Sequence, residues 1–194
     1  MKLQTIYRLS PAAFLLCLLA CTGGRSGGNG GPNDTTIVMN SPQKALDAAL
    51  RDLQQLTDAH VKTFGFATVA EAKEAKAEEP VKVQVLSFDK LLAADSAAAV
   101  DTLNPLSRYE EVGQQELVYP LAVQGAVKST VKITGMGERW QIAGFDQGHA
   151  AVVNNARKLS QGQSFGLISV PGLQLAFIET GMDGRRLYYP GGGR

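Results

Sequence analysis

Two histidines are the first residues to ask for chemistry, because imidazole titrates near neutral pH and serves readily as a general base. His149 follows Asp146 by three residues at a strand-to-helix junction, so the carboxylate can orient the ring, and Ser160, Ser164 and Ser169 are hydroxyls further along. That set is the raw material of a serine hydrolase. However, the chemistry needs a nucleophile within hydrogen-bond reach of the base, and spacing alone does not supply it. No G-x-S-x-G elbow accompanies the serines. His60 is placed at the end of the first helix, where an imidazole meets exposed carbonyls and the favourable end of the dipole.

Other patterns carry less. The HExxH, Walker and EF-hand patterns are absent, and Asp183-Gly184 reads as a turn rather than a calcium loop. Gly135-Met136-Gly137 joins two expected antiparallel strands, so it lacks the helix terminus a dinucleotide glycine motif needs. Glu110, Glu111 and Glu116 form a carboxylate group of the glycosidase type, without an accompanying pattern of aromatics. No catalytic residue, cofactor or metal is assigned.

The residues best suited to contact a partner are Trp140, on an expected meander strand, and Arg185, Arg186, Tyr188 and Tyr189 near the carboxyl end. Aromatic and arginine side chains combine large contact area with polar handles. Consecutive tyrosines on a strand point to opposite faces, so one can be exposed. Trp140 and one tyrosine can equally complete the core.

Positioning these residues requires an α+β domain. Ser41-Pro42 is a serine cap with proline at the first helical position, and Leu46, Leu50 and Leu53 then recur at helical spacing, predicting a helix that ends near Ala59. The alanine- and charge-rich stretch Val69–Glu79 predicts a second helix, stopped by Pro80. Val81, Val83 and Val85 alternate with polar residues as a strand; Asp89 to Leu92 reads as a short helical turn, and the alanine-rich stretch after it as a loop or short helix.

Segments 117–123, 127–134 and 139–145, joined by Gly turns, predict an antiparallel meander. Pro120 cannot donate to a ladder, so its strand is an edge or its nitrogen points away from its neighbour. Asp146–Ser160 reads as a third helix, and two further extended runs around Met182-Asp183-Gly184 as a hairpin. The expected fold is therefore a curved antiparallel β-sheet with a central meander and C-terminal hairpin, one face packed by helices.

The amino terminus is the most specific stretch. Lys2 and Arg8 precede ten apolar residues, Pro11–Ala20, too few for the roughly 20 needed to span a bilayer but suited to a signal-peptide core. Leu18-Leu19-Ala20-Cys21 resembles a bacterial lipobox, in which cleavage after a small residue leaves an acylated cysteine as the new first residue. The resemblance covers residues 1–21. It implies a thioether-linked diacylglycerol on Cys21, usually with a third acyl chain on the amine, and an exported protein anchored to the cell envelope. Thr22 in place of aspartate leans towards the outer membrane where two membranes exist. Cleavage without acylation, or a retained helix, are the other outcomes open to the same residues.

Residues 22–40 hold six glycines and read as a flexible tether with a reach of roughly 25 Å. Within it, Thr35–Met39 has the residue types of a short edge strand. Residues 41–194 are long enough for one domain with its own core. Cleavage removes Cys17, which excludes an internal disulfide framework. The chain's formal charge is +1, with no basic block, which argues against nucleic acid as partner. The reading is a lipid-anchored envelope protein with a non-catalytic binding or assembly domain, whose partner is an envelope protein, a peptide or a small hydrophobic ligand. The alternative is a periplasmic or surface hydrolase using His149.

Overall fold

The computed structural model describes residues 37–93, 105–182 and 185–191, with the backbone alone at 182 and 185. Cys21 and the alanine-rich segment after Ala93 lie outside the described residues.

Helix α1 spans Pro42–Gln54, with Ser41 Oγ accepting from Lys44 N–H at 3.3 Å, and it buries Ala45, Leu46, Ala49 and Leu53. A one-turn helix α2 (Asp58–Val61) and α3 (Val69–Glu74) follow. The chain then forms strands β1 (Lys76–Ala77) and β2 (Val81–Val85) and the short helix α4 (Phe88–Leu92). The meander is β3 (Gln114–Val123), β4 (Ala126–Met136) and β5 (Arg139–Phe145). Helix α5 (Gln147–Ser160) leads to β6 (Phe165–Val170), and β7 (Leu175–Met182) and β8 (Arg185–Pro190) form the terminal hairpin.

The strands form one sheet in the order β5-β4-β3-β2-β6-β7-β8, with β1 added beside β3. Every pairing is antiparallel except β2 with β6, which is parallel. Helices α1 to α3 pack on one face of the meander through Leu53, Phe66, Tyr119, Leu121, Ile133 and Trp140. Leu86, Leu91 and Tyr109 pack with Ile168, Val170 and Phe177 of β6 and β7. The pleat residues of opposite parity, among them Val83, Val118, Leu167 and Ile178, contact α5 through Val152, Val153 and Ala156. Burial on both sides explains why β3 reads as the nearly unbroken apolar run LVYPLAV rather than as clean alternation.

Two expectations about elements change, and Pro120 follows the second of its two alternatives. The first helix ends at Gln54, and Asp58–Val61 is a separate turn. The second ends at Glu74, because Lys76 and Ala77 pair with Ala122 and Leu121. Backbone pairing on the sheet there outweighs the alanine propensity of residues 75–79, worth only tenths of a kcal/mol per residue. Pro120 lies within an internal strand, in the gap between β1 and β2. Its carbonyl accepts from Glu78 N–H at 2.9 Å, and its nitrogen faces that gap instead of a ladder partner. Met39 does extend the sheet, bridging to Trp140.

Candidate functional site

Asp146 caps α5, its Oδ1 accepting from Gly148 N–H at 2.6 Å, while its Oδ2 lies 2.7 Å from His149 Nδ1. Burial pushes the Asp146 carboxyl up, but the hydrogen bond and charge of His149 and the two backbone N–H groups outweigh it and hold the carboxyl below its usual range. The orienting contact foreseen for His149 therefore exists. The hydroxyls do not gather around it. Ser160 ends the same helix, eleven residues on and roughly 16 Å away by helical rise, and its Oγ donates to the Arg157 carbonyl. Ser169 sits in β6 between Val85 and Ala176. The Asp146–His149 pair is a helix cap with an imidazole attached to it. His60 lies in α2, its Nδ1 3.1 Å from Thr57 Oγ1, rather than at the end of α1.

The carboxylates do not converge either. Glu110 accepts from the side chain of Gln84, and Glu116 stands beside Val83; adjacent residues of β2 point to opposite faces, so these two acids do as well. Glu116 is 3 % exposed; its Oε2 pairs with Lys132 Nζ at 3.2 Å, and its Oε1 has no hydrogen-bond partner. Among the described residues, no three His, Cys, Asp or Glu side chains come together as metal ligands. No helix among them is long and apolar enough to cross a membrane.

The aromatic and arginine set divides between the two edges of the sheet. Trp140 is on β5, 7 % exposed, inside the cluster under α1. A Cβ on Gly135 would stand 2.5 Å from Trp140 Cδ2 and Cε3, so glycine is what lets the indole lie against β4. A shallow cavity of about 300 Å³ opens beside this hairpin, lined by Val38, Gln114, Thr134, Met136 and Gln141. Arg186, Tyr188 and Tyr189 are on β8, six strand spacings of about 4.8 Å away along the sheet. Trp140 and the tyrosines thus share no groove.

On β8 the residues alternate. Tyr189 stands opposite Ile178 and packs on the α5 side, whereas Tyr188 stands opposite Glu179 and is 40 % exposed. Arg186 pairs with Glu179 at 2.7 Å. Arg185 is the ladder partner of Met182.

The two edges differ in their backbone. Trp140 exchanges hydrogen bonds with Met39, N–H to carbonyl at 2.7 and 2.8 Å, so part of the β5 edge is covered. On β8, Gly191 N–H donates to Ala176 O at 2.8 Å, which sets the alternation: 187, 189 and 191 face β7, and 186, 188 and 190 face outward. Among the described residues no strand lies beyond β8. The direction of the β8 backbone was missed by residue-type reasoning, with Pro190 at the end of a strand the one available signal, whereas Met39 lies in the Thr35–Met39 stretch whose residue types suit a short edge strand.

No protein-family model, curated protein or solved structure matches this chain.

Proposed function

We propose that this chain is an exported, lipid-anchored envelope protein, held by acylated Cys21, whose α+β domain binds or assembles rather than catalyses. The anchor rests on the lipobox-like Leu18–Cys21 behind a short apolar core and before a glycine-rich tether. In a bacterium with two membranes, Thr22 favours the outer one. Two or three acyl chains would suffice for stable attachment, because each buried methylene contributes about 0.8 kcal/mol.

The observation that carries the binding role is the β8 edge. Among the described residues the outward backbone groups of β8 have no partner strand, and with Arg186 and exposed Tyr188 beside them they offer a surface for another extended segment. The protein partner is accordingly favoured over a small hydrophobic ligand, since Trp140 is committed to the core. The hydrolase reading keeps one supporting contact, Asp146 to His149, but among the described residues it lacks a serine bonded to the ring. Membrane fractionation of a Cys21→Ser variant tests the proposal: the variant should leave the membrane fraction, and retention there would refute the anchor.

A further inference from the structure

Exposed aliphatic side chains gather where the amino-terminal segment joins the domain. Ile37, Val38 and Met136 are 71, 44 and 66 % exposed. Val38 and Met136 line one shallow cavity of about 300 Å³, together with Gln114, Thr134, Gln141 and Trp140. We propose that this surface, at the β5 edge of the sheet, lies against the lipid bilayer that holds acylated Cys21. The inference rests on the anchor proposed above and adds which side of the domain the membrane meets.

The point where the chain enters the domain carries the argument. The Met39–Trp140 backbone bonds fix the start of the domain to β5, so Ile37 and Val38 are held at that edge. Fifteen residues, 22–36, separate Cys21 from Ile37, and six of them are glycine. That composition and length predict a reach of roughly 20 Å. The reach is comparable with the radius of gyration of a domain this size, about 15 Å, so the entry edge is the side brought to the bilayer most often.

Side-chain chemistry agrees. Burying aliphatic surface at the boundary of headgroups and acyl chains is favourable and needs no matching shape. The unbranched thioether of Met136 adapts readily to such surroundings. A cavity this shallow would enclose little of a small ligand, which sets a lipid surface above one. Glu138 and Arg139, in and beside the β4–β5 turn, are of opposite sign, so lipid charge adds little.

Leu173 and Leu175 are also 45 and 46 % exposed, but they lie around the start of β7. That is five strand spacings of about 4.8 Å from β5, and the chain from Cys21 does not enter there. Three partly exposed side chains are too few to hold a free domain on a membrane. Attachment at Cys21 compensates by raising the effective concentration of the surface.

Trp140, the sole tryptophan of the chain, reports on this surface because it lines the same cavity. The acylated chain, purified from membranes and reconstituted in phosphatidylcholine vesicles, should lose Trp140 fluorescence when the lipid carries bromine on the upper acyl chain. Ile37→Asp/Met136→Asp should remove most of that quenching, whereas Leu173→Asp/Leu175→Asp should leave it unchanged. Raised salt should also leave it unchanged. All four side chains are at least 45 % exposed, so both variants are expected to fold. Trp140 emission in unbrominated vesicles, blue-shifted while the indole sits in the core, checks that.

The proposal is overturned if the vesicle-bound native chain is not quenched, or if Ile37→Asp/Met136→Asp is quenched as strongly. It is likewise overturned if the leucine variant loses the quenching instead. A photo-reactive side chain at position 136 in native membranes should label lipid. Label on a protein, a second copy of this chain included, would overturn the proposal too. An acylated chain on vesicles without quenching sinks the lipid contact alone, whereas a mature chain without acyl groups sinks the anchor and the contact with it.

Discussion

Met39 and Trp140 exchange backbone hydrogen bonds of 2.7 and 2.8 Å, so the chain entering α1 doubles as a partner for β5. The contact makes the sheet asymmetric. At one end the edge is covered where Trp140 sits; at the other, β8 presents Arg186, Tyr188 and Pro190. Of the two roles the sequence left open for Trp140, binding or core, the indole takes the core, and the proposed binding edge lies on the opposite strand.

Trp140→Ala should cost about 3–5 kcal/mol, as for other buried aromatic truncations. Gly135→Ala should cost about 1–3 kcal/mol, because the new methyl must displace the indole. In a Trp140→Ala background the Gly135→Ala cost should shrink towards zero. Urea unfolding of the four proteins checks this, and an undiminished cost would mean the glycine is needed for another reason.

Asp146→Ala should destabilise by about 1 kcal/mol at neutral pH through loss of the α5 cap. The native carboxyl is held below its usual value. Its contribution is therefore present above the unfolded value of about 3.9 and disappears as pH falls through the native one. The stability gap between the native chain and Asp146→Asn should accordingly narrow below about pH 4. Urea midpoints taken from pH 3 to 6 would reveal a gap that instead widens in acid.

The meander was legible because period-two patterning and glycine turns are local, and the same holds for α1, with its serine cap, and for α5. The β2–β6 pair was not, since Val83 and Leu167 meet only through the tertiary fold. The Val69–Glu79 reading failed where strand pairing at Lys76–Ala77 opposed local alanine propensity. For the candidate site, sequence could name Arg186 and Tyr188 but not which way their backbone faces. That direction follows from register, which the Met182–Arg185 pairing and the Gly191–Ala176 bond determine.

Glu116 and Lys132 form an ion pair in which the acid is buried and the amine partly exposed. Lys132→Met should destabilise by about 1–3 kcal/mol, leaving a buried carboxylate without its counter-charge. Glu116→Gln should cost less, and the double variant Glu116→Gln/Lys132→Met should recover part of the Lys132→Met loss. Equal, additive costs in a double-mutant cycle would show that the pair is not coupled.

The account stands most directly on Cys21. Intact-mass and peptide mass spectrometry of the protein isolated from membranes should find a mature chain beginning at Cys21 and carrying a diacylglycerol thioether. A terminus at another residue, or Cys21 present as a free thiol in the mature protein, would contradict it.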